Sequence, residues 1–383
     1  MAEAQIRCID CGSAYPETGA PYRCPDCGGL YDYSRPWTLR HSSGQAFDPA
    51  QVDSSRRGVF RFSSTLRLGS AQAFGADSAS DSFSLGEGNT PLVWAEAFGR
   101  KVAFKCEYQN PTGSFKDRGS AALITFLKSR GVTEAVEDSS GNAGASFAAY
   151  AARAGIKASV FVPETASGPK LNQIRAYGAE VIPVPGPRGN AELAAQKAAE
   201  TRTYASHASM PFSIPGYATI AYEIVEQLGG HMPGAVLVPA GQGGLLLGAW
   251  RGFEALYQAG ARSEAEQSKV GAPPKMVGVQ AQVCSPLAGH PANGSGQTIA
   301  EGVRNTDPLR KETVRLAVRS SKGFWAAVAE KDILPGRDAL AHKGFYVEPT
   351  SALVWKALEE TISLLPDPIV VILTGSGLKY SGD

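Results

Sequence analysis

The sequence lacks an excess of charge of either sign. Its 37 lysine and arginine residues nearly balance its 36 aspartate and glutamate residues, which leaves a formal net charge of +1. Proteins that bind DNA, RNA or anionic membranes usually display a surplus of basic residues, because phosphate groups dominate those surfaces. We therefore expect neither a nucleic-acid partner nor a membrane partner.

Long apolar runs are also missing. The most apolar stretch, residues 235–250, is interrupted by Pro239 and by four glycines, and it is too short to cross a bilayer. The first residues contain no basic segment followed by an apolar run, which is the pattern of a secretory signal. These features predict a cytoplasmic protein.

Cysteine is scarce outside the first 27 residues, where four of the six cysteines lie. This distribution is not that of a disulfide scaffold. The four form two Cys-x2-Cys pairs separated by twelve residues: Cys8, Cys11, Cys24 and Cys27. Two such pairs supply the four thiolates of a closed tetrahedral zinc site. We predict a structural zinc ribbon; two redox-active pairs, or a ribbon that has lost its metal, are the alternatives.

The rest of the chain has no internal repeat, and its pattern changes near residue 100. Residues 40–83 are rich in Ser, Ala and Gly without a clean period, which indicates an extended arm or linker. Beyond them, short apolar segments alternate with helical segments that end at glycines, such as Gly131 and Gly155. This alternation predicts βαβ units and parallel sheets, hence an α/β fold. Residues 261–274 are polar and are typical of an exposed loop.

One lysine lies in an unusual local sequence. The segment NPTGSFKDRG, residues 110–119, begins with a turn that leads directly into a predicted helix, so Lys116 falls in the first helical turn. The helix dipole disfavours a cation there. A lowered pKa would favour a neutral amine or one that forms a Schiff base. The alternative is an ordinary lysine on a solvated helix face.

A second turn, DSSGNAGAS at residues 138–146, precedes another predicted helix. We expect Ser139 and Ser140 to cap this helix, Gly141 to adopt positive φ, and the helix to start after Asn142. Such a turn presents backbone N–H groups and short polar side chains to an anion. A plain capped loop between a strand and a helix is the alternative.

Two further turns follow apolar strands. In VPAGQGGLLLGAW, residues 238–250, three glycines precede an apolar helix and would let the backbone wrap a phosphate. A tight turn without a ligand is the alternative there. In VVILTGSGLK, residues 370–379, Thr374 places a hydroxyl at the carboxyl end of a strand, which is where open α/β sheets bind ligands.

Six motifs, taken in order, resemble threonine synthase and, more broadly, the fold-type-II pyridoxal-phosphate enzymes: GEGNTPLV, NPTGSFKDRG, SSGNAGAS, GQGGL, EPTSA and LTGSGLK. The resemblance covers about residues 84–380. It implies a tryptophan synthase β-like fold with two doubly wound α/β domains, pyridoxal phosphate between them, a small amino-acid substrate and a homodimer. The chain then divides into a zinc ribbon at 1–35, an arm and the start of the large domain at 36–104, a small mobile domain at 105–205 and a large domain at 206–383.

The same resemblance assigns roles to residues. Lys116 would bind pyridoxal phosphate covalently and then act as general base and acid, and Phe115 would form part of the pocket wall. Asn142 would hydrogen-bond the phenolic oxygen of the cofactor, and Thr374 would contact its pyridine nitrogen. The cofactor phosphate would lie in the turn formed by Gly241, Gln242, Gly243, Gly244 and Leu245. The substrate carboxylate would be held by Ser139, Ser140, Gly141 and Ala143.

The contact of Thr374 has a chemical consequence. A neutral hydroxyl should not keep the ring nitrogen protonated, whereas a carboxylate would. The resemblance therefore implies elimination or replacement at the β or γ carbon rather than transamination, with threonine synthase chemistry on O-phosphohomoserine as the first hypothesis. The alternatives are a β-replacing synthase that uses phosphoserine or acetylserine, a serine or threonine dehydratase-like lyase, and a non-catalytic regulator.

The sequence departs from the threonine synthase pattern in three places. Ala143 stands where those enzymes usually have Thr, and Ser376 stands where they commonly have His. No Arg or Lys lies between Arg202 and Arg251, a segment in which many members carry cations that hold the substrate phosphate. The leaving group is therefore either not phosphate or is held by cations elsewhere. Candidates are Lys170, Arg175 and Arg304.

Three charged residues near these motifs have open roles. Glu348 begins a predicted helix, where a negative charge is favoured, but it would also suit a wall of the pocket. Asp117 and Arg118 follow Lys116 directly, and we expect them in surface or interdomain ion pairs.

Overall fold

The computed structural model of the chain describes residues 6–33, 37, 52, 56–62, 83–260, 271–290 and 296–381. Most of the predicted arm and most of the predicted polar loop at 261–274 lie outside these residues. Among the helices that are described, none is long and apolar enough to cross a membrane.

The described residues form twelve strands and nine α-helices. The strands are β1 (Ile6–Cys8), β2 (Tyr31–Tyr33), β3 (Leu92–Ala97), β4 (Arg100–Lys105), β5 (Glu134–Glu137), β6 (Lys157–Pro163), β7 (Glu180–Val184), β8 (Thr203–Tyr204), β9 (Ala235–Pro239), β10 (Lys275–Ala281), β11 (Phe324–Val328) and β12 (Ile369–Ile372). The helices are α1 (Lys116–Ser129), α2 (Asn142–Ala154), α3 (Pro169–Ala176), α4 (Arg188–Ala198), α5 (Ile214–Gln227), α6 (Gly244–Gly260), α7 (Lys311–Ser320), α8 (Glu330–Ala341) and α9 (Pro349–Thr361).

Six strands form the larger sheet, in the order β11-β10-β9-β12-β4-β3. Neighbouring strands are parallel except for β3, which pairs with β4 in the antiparallel sense. Every residue of β9 and β12 is buried, as expected for central strands with both faces covered. The carboxyl end of β9 leads into the glycine turn, and that of β12 leads into Thr374.

The smaller sheet has four parallel strands in the order β7-β6-β5-β8. Helices α2, α3 and α4 connect its strands along the chain. Helix α1 packs against both α2 and α5, so it contacts helices on either side of the boundary between the sheets. The α/β fold predicted from the alternation of strands and helices is confirmed.

The N-terminal hairpin of β1 and β2 packs on the rest of the protein. The ring of Tyr15 lies 5.8 Å from that of Phe126 and 5.0 Å from that of Phe212, measured between ring centroids. The carboxylate of Asp32 accepts two hydrogen bonds from Arg251, at 2.7 and 3.0 Å. The hairpin is therefore fastened to helices α1 and α6 by both apolar and charged contacts.

The start of α2 differs from the prediction in two details. Gly141 has a φ of −101°, so it is extended rather than left-handed, and no side chain caps the helix. The hydroxyl of Ser139 instead accepts the N–H of Gly141 at 3.2 Å. This bond closes a turn before the helix.

Arg118 is fully buried rather than at the surface. It donates to Glu107 at 2.7 and 2.8 Å and to Glu223 at 2.9 and 2.7 Å, while Lys105 contacts Glu223 at 2.7 Å. Two cations and two anions compensate one another, as buried charges require. Asp117 is buried as well, but it accepts hydrogen bonds from hydroxyl and amide groups instead of forming an ion pair.

Candidate active site

Lys116 is the first residue of α1, as the sequence predicts. Its Nζ lies 5.1 Å from the centre of the Phe115 ring and 6.0 Å from that of Tyr217. Burial lowers the pKa of the Lys116 amine from 10.5 to about 8, and the carboxylate of Glu137 opposes this change. The lowered pKa was expected, but burial rather than the helix dipole is its main cause.

Backbone contacts place Lys116 at the end of the central strand β12. The N–H of Phe115 donates to the carbonyl of Thr374 at 3.0 Å, and Ser114 forms a β-bridge with Gly375. The hydroxyl of Thr374 is buried and has no hydrogen-bond partner among the described residues. A buried hydroxyl without a partner is uncommon, so this atom is available to a ligand.

Asn142 and Glu348 meet across the two sheets. Nδ2 of Asn142 donates to Oε1 of Glu348 at 2.7 Å, and Oδ1 of Asn142 has no partner in the described part of the chain. An amide nitrogen carries two hydrogens, so one N–H of Asn142 stays available while Glu348 orients the side chain. Gly375 lies against this pair, because a Cβ there would be 2.3 Å from Oε1 of Glu348.

The turn before α2 is packed tightly. The N–H of Ser139 donates to Glu137 at 2.7 Å. The carbonyl of Ser139 approaches Gly144 so closely that a Cβ there would lie 1.8 Å from it, which explains the glycine at this position. Three neighbouring residues stay partly exposed, as a substrate-binding loop requires: Ser140, Gly141 and Ala143.

The glycine turn connects β9 to α6. Gly243 has a φ of +81°, and a Cβ on it would lie 2.7 Å from Val314. A Cβ on Gly241 would lie 2.6 Å from the carbonyl of Gly302. Helix α6 starts at Gly244, so the amides of Gly244 and Leu245 have no partner within the helix. Such amides form an anion site.

Tyr217 connects the lysine to the glycine turn. Its ring lies 5.3 Å from that of Phe115, and a Cβ on Gly244 would lie 3.7 Å from it. Tyr217, Gln242, Gly244 and His207 are among the residues that line a cavity of about 20 Å³ in the same region. The structure thus brings the lysine, the glycine turn and Thr374 to one region.

These residues fit pyridoxal phosphate. The site offers an amine with a lowered pKa, a helix N-terminus preceded by glycines for a phosphate, and two buried polar groups with unsatisfied hydrogen bonds. Sequence reasoning missed Tyr217 and the pair of Glu137 and His207, and it left Glu348 undecided. No local pattern distinguishes Tyr217 from an ordinary aromatic residue of an apolar helix.

The four cysteines near the N-terminus converge at a separate place. Their Sγ atoms lie within 4.8 Å of one another, with 3.4 Å between Cys8 and Cys27 and 3.7 Å between Cys11 and Cys24. Four thiolates at about 2.3 Å from one zinc ion would be about 3.8 Å apart in a tetrahedron. The cluster has the dimensions of a four-thiolate metal site.

A family model described as pyridoxal-phosphate dependent enzyme matches residues 83–375, the segment that contains all the candidate site residues outside the cysteine cluster. The chain belongs to this family. It is 34% identical to threonine synthase of Methanocaldococcus jannaschii over 97% of this chain and 92% of that protein. It is also 34% identical to threonine synthase of Mycobacterium tuberculosis over 76% of this chain and 82% of that protein.

Two solved structures have a similar fold. A threonine deaminase from T.th. has a TM-score of 0.65 and 28% identity, covering 76% of this chain and 94% of that one. Maize serine racemase has a TM-score of 0.65 at 22% identity, covering 77% of this chain and 90% of that one. The predicted threonine synthase-like, pyridoxal-phosphate-dependent enzyme of fold type II, acting by elimination or replacement, is confirmed.

Proposed function

We propose that the chain converts O-phosphohomoserine and water into threonine and phosphate. In this reaction the bond between the γ carbon and the phosphate oxygen breaks, and the oxygen of water bonds to the β carbon. The observation that carries the proposal is the amine of Lys116, with a pKa of about 8. Its neighbour Phe115 is bound to the backbone of Thr374, whose neutral hydroxyl has no partner among the residues that the structure describes. The likeness to threonine synthases over 97% of the chain supports the choice of substrate.

Lys116 would both hold the cofactor and move the substrate's protons. Bound pyridoxal phosphate withdraws electrons from the α carbon of an amino acid. The amine of Lys116 would take the proton from that carbon and return it later. At pH 7 a pKa of about 8 leaves about one amine in ten neutral, against about one in 3,000 for a pKa of 10.5.

Other residues would orient the cofactor. The hydroxyl of Thr374 would contact the ring nitrogen without supplying a negative charge, which favours loss of a leaving group over transamination. The second N–H of Asn142 would donate to the phenolic oxygen, with Glu348 fixing the amide. The backbone of residues 241–245 would bind the phosphate, and the turn at 139–143 would bind the substrate carboxylate.

Lys170 is the best placed of the three cations suggested for the substrate phosphate. Its Nζ lies 2.9 Å from Oε2 of Glu348, the residue that also holds Asn142, and only 14% of its side chain is exposed. Arg175 and Arg304 are exposed. We propose that Lys170 pairs with the leaving phosphate.

A second candidate function is β-replacement or dehydration of a substrate without a phosphate. The lack of any Arg or Lys between Arg202 and Arg251 favours it, because a phosphate dianion usually requires several cationic partners. Turnover should be compared for O-phosphohomoserine, phosphoserine, acetylserine and threonine. Formation of threonine and phosphate in equal amounts from O-phosphohomoserine would support the synthase. Phosphate release without threonine would rule it out.

The covalent role of Lys116 has a separate test. The purified protein should absorb visible light because of its bound cofactor, and Lys116→Ala should lose that absorbance. Lys128→Ala, on the same helix, should keep it and serves as the matched control. A wild-type protein that stays colourless after incubation with pyridoxal phosphate would support the non-catalytic regulator instead.

We also propose that Cys8, Cys11, Cys24 and Cys27 bind structural zinc. Four thiolates leave no open position, so the ion would stabilise the hairpin of β1 and β2 rather than act on substrate. Elemental analysis should find one zinc per chain, and Cys8→Ser with Cys24→Ser should lose it. Retention of zinc in that double variant would contradict the assignment.

Several further expectations remain proposals. Residues 105–205 would form a small domain that closes over the substrate, and residues 206–383 would belong to the large domain. The homodimer, the cytoplasmic location and the absence of nucleic-acid and membrane partners stay predictions. Light scattering of the holoenzyme at several concentrations tests the dimer.

A further inference from the structure

Five buried side chains form a continuous hydrogen-bonded series beside Lys116. Nδ1 of His207 lies 3.1 Å from Oε1 of Glu137, and its Nε2 lies 3.0 Å from Oγ of Ser120. Oγ of Ser146 lies 2.7 Å from Oγ of Ser120 and 2.6 Å from Oδ1 of Asp117. We call this series, from Glu137 through His207, Ser120 and Ser146 to Asp117, the hydroxyl relay.

The relay lies next to the site at one end. Ser120 is four residues after Lys116 in α1, so the two share a helix face. His207 lines the same small cavity as Tyr217, whose ring is 6.0 Å from Nζ of Lys116. Glu137 accepts the N–H of Ser139 at 2.7 Å, which ties the relay to the turn proposed to bind substrate.

The hydrogens of the relay can be arranged in two ways, because each hydroxyl has one hydrogen to donate. We call these arrangements the first and second orderings. In the first, a protonated Asp117 donates to Ser146, Ser146 to Ser120, Ser120 to Nε2 of His207, and Nδ1–H to Glu137. In the second, three hydrogens have shifted: Nε2–H donates to Ser120, Ser120 to Ser146, and Ser146 to an ionised Asp117. Both contain the same number of protons, but only the second has a positive imidazolium.

We propose that the hydroxyl relay sets the charge of Lys116, with His207 as a positioning residue. In the first ordering no member of the relay carries a positive charge, so the negative charge of Glu137 favours a proton on the amine. In the second the imidazolium neutralises Glu137, and the amine can become neutral. A shift of three hydrogens within the relay therefore changes which form of Lys116 is favoured, while the proton of the amine itself passes to and from the substrate. The inference rests on the proposed function, which requires both forms.

Burial favours the first ordering while Lys116 is protonated. Burial raises the pKa of Asp117, although hydrogen bonds from Ser146 and Thr112 oppose this. Burial also lowers the pKa of His207, against the hydrogen bond to Glu137. Both shifts act in favour of the first ordering, and loss of the Lys116 proton removes the repulsion that opposes the imidazolium.

The surrounding charges leave the two ends of the relay unequal. At the Glu137 end, the neighbouring carboxylate of Asp138 is bound by Arg188 at 2.5 Å and by the hydroxyl of Tyr204 at 2.7 Å. At the other end, the cation of Lys379 acts on Asp117. Arg310 lines the cavity beside His207, but its guanidinium group donates to backbone carbonyls. The positive charge of Lys379 favours an ionised Asp117, so it lowers the free energy of the second ordering relative to the first.

The test measures the reactivity of the Lys116 amine in the protein without its cofactor. The apo-protein is treated with trinitrobenzenesulfonate at pH 6 to 9, and modification of Lys116 is followed by peptide mapping. Glu137→Gln should raise the fraction reacting at pH 7 about fivefold, because the carboxylate that holds the proton is gone. Ser120→Ala should lower it at least twofold, because Glu137 can no longer be compensated through the relay.

A rise in Lys116 reactivity in Glu137→Gln and a fall in Ser120→Ala distinguish the relay from a merely structural role of these residues. Ser146→Ala should act like Ser120→Ala and replaces it if that variant does not fold. Thr125→Val, which removes a buried hydroxyl with no partner among the described residues, should match wild type. The inference fails if a folded Ser120→Ala or Ser146→Ala variant raises the reactivity of Lys116, as Glu137→Gln does, or lowers it by less than twofold. The turnover comparison tests the proposed function separately, because it measures threonine and phosphate rather than the reactivity of the Lys116 amine.

Discussion

We predict that the partly buried amine of Lys116 lowers the free energy of unfolding of the protein without cofactor. Lowering its pKa from 10.5 to about 8 corresponds to at most about 3.4 kcal/mol, at about 1.4 kcal/mol for each tenfold change. The side chain is partly exposed, and residual hydration reduces the value, so we expect about 1 to 2 kcal/mol. Lys116→Met replaces the side chain by an uncharged one that is only one atom shorter, and it should stabilise the apo-protein by this amount.

The pH dependence of this gain has a definite sign. The folded state disfavours the protonated amine, so the penalty is fully present below pH 8 and is lost as the pH rises toward 10.5. Thermal unfolding of apo wild type and Lys116→Met at pH 6 to 9 measures it. The melting temperature of the variant should be a few degrees above that of wild type at pH 6 and 7, and this difference should be smaller at pH 9. Lys128→Met is the control and should stay within about 0.5 kcal/mol of wild type. A variant less stable than wild type, or a gap that widens with pH, would refute the reasoning.

Three further variants test the buried contacts of the site. Arg118→Met leaves Glu107 and Glu223 buried with only Lys105 as a cation. It should lower the free energy of unfolding in denaturant by about 3 to 5 kcal/mol. Adding Glu223→Gln should recover part of this loss, and no recovery would contradict the role of charge. Gly375→Ala places a Cβ 2.3 Å from Glu348 and 3.2 Å from Asn142, so it should weaken pyridoxal phosphate binding at least tenfold in an absorbance titration, while Gly189→Ala, where nothing lies within 4 Å, should not. Lys170→Met should raise the KM for O-phosphohomoserine at least tenfold with little change in kcat; an equal KM would remove Lys170 from the phosphate site.

The regular elements could be predicted where burial is continuous. Strands β9 and β12 are apolar throughout and follow from composition alone, and glycines mark the end of α2. Strand β3 was not predicted, because it lies at the edge of the sheet and exposes Val93 and Trp94. Helix α7 was missed as well, since few of its ten residues are buried and its pattern is mostly polar.

The candidate site could be predicted in segments but not in its contacts. Each motif contains its own turn chemistry, so Lys116 and the glycine turn were identified without knowledge of the fold. The pairing of Asn142 with Glu348 joins residues 206 positions apart, and no local pattern encodes it. The burial of Arg118 follows only once Glu107 and Glu223 are known to flank it, because sequence alone predicts arginine at the surface.

The contacts of Lys116 and Asn142 explain how the site could open without losing its lysine. Lys116 is tied to the larger sheet, because the N–H of Phe115 binds the carbonyl of Thr374. Asn142 begins a helix of the smaller sheet, and its bond to Glu348 crosses to the larger one. A rotation of the smaller sheet without α1 would break the Asn142–Glu348 bond while Lys116 kept its backbone tie to Thr374, so on this account the moving unit begins after α1 rather than at residue 105. Because Lys170 also pairs with Glu348, a phosphate that drew Lys170 away would leave Glu348 bound to Asn142 alone, so substrate charge and closure would act through the same carboxylate.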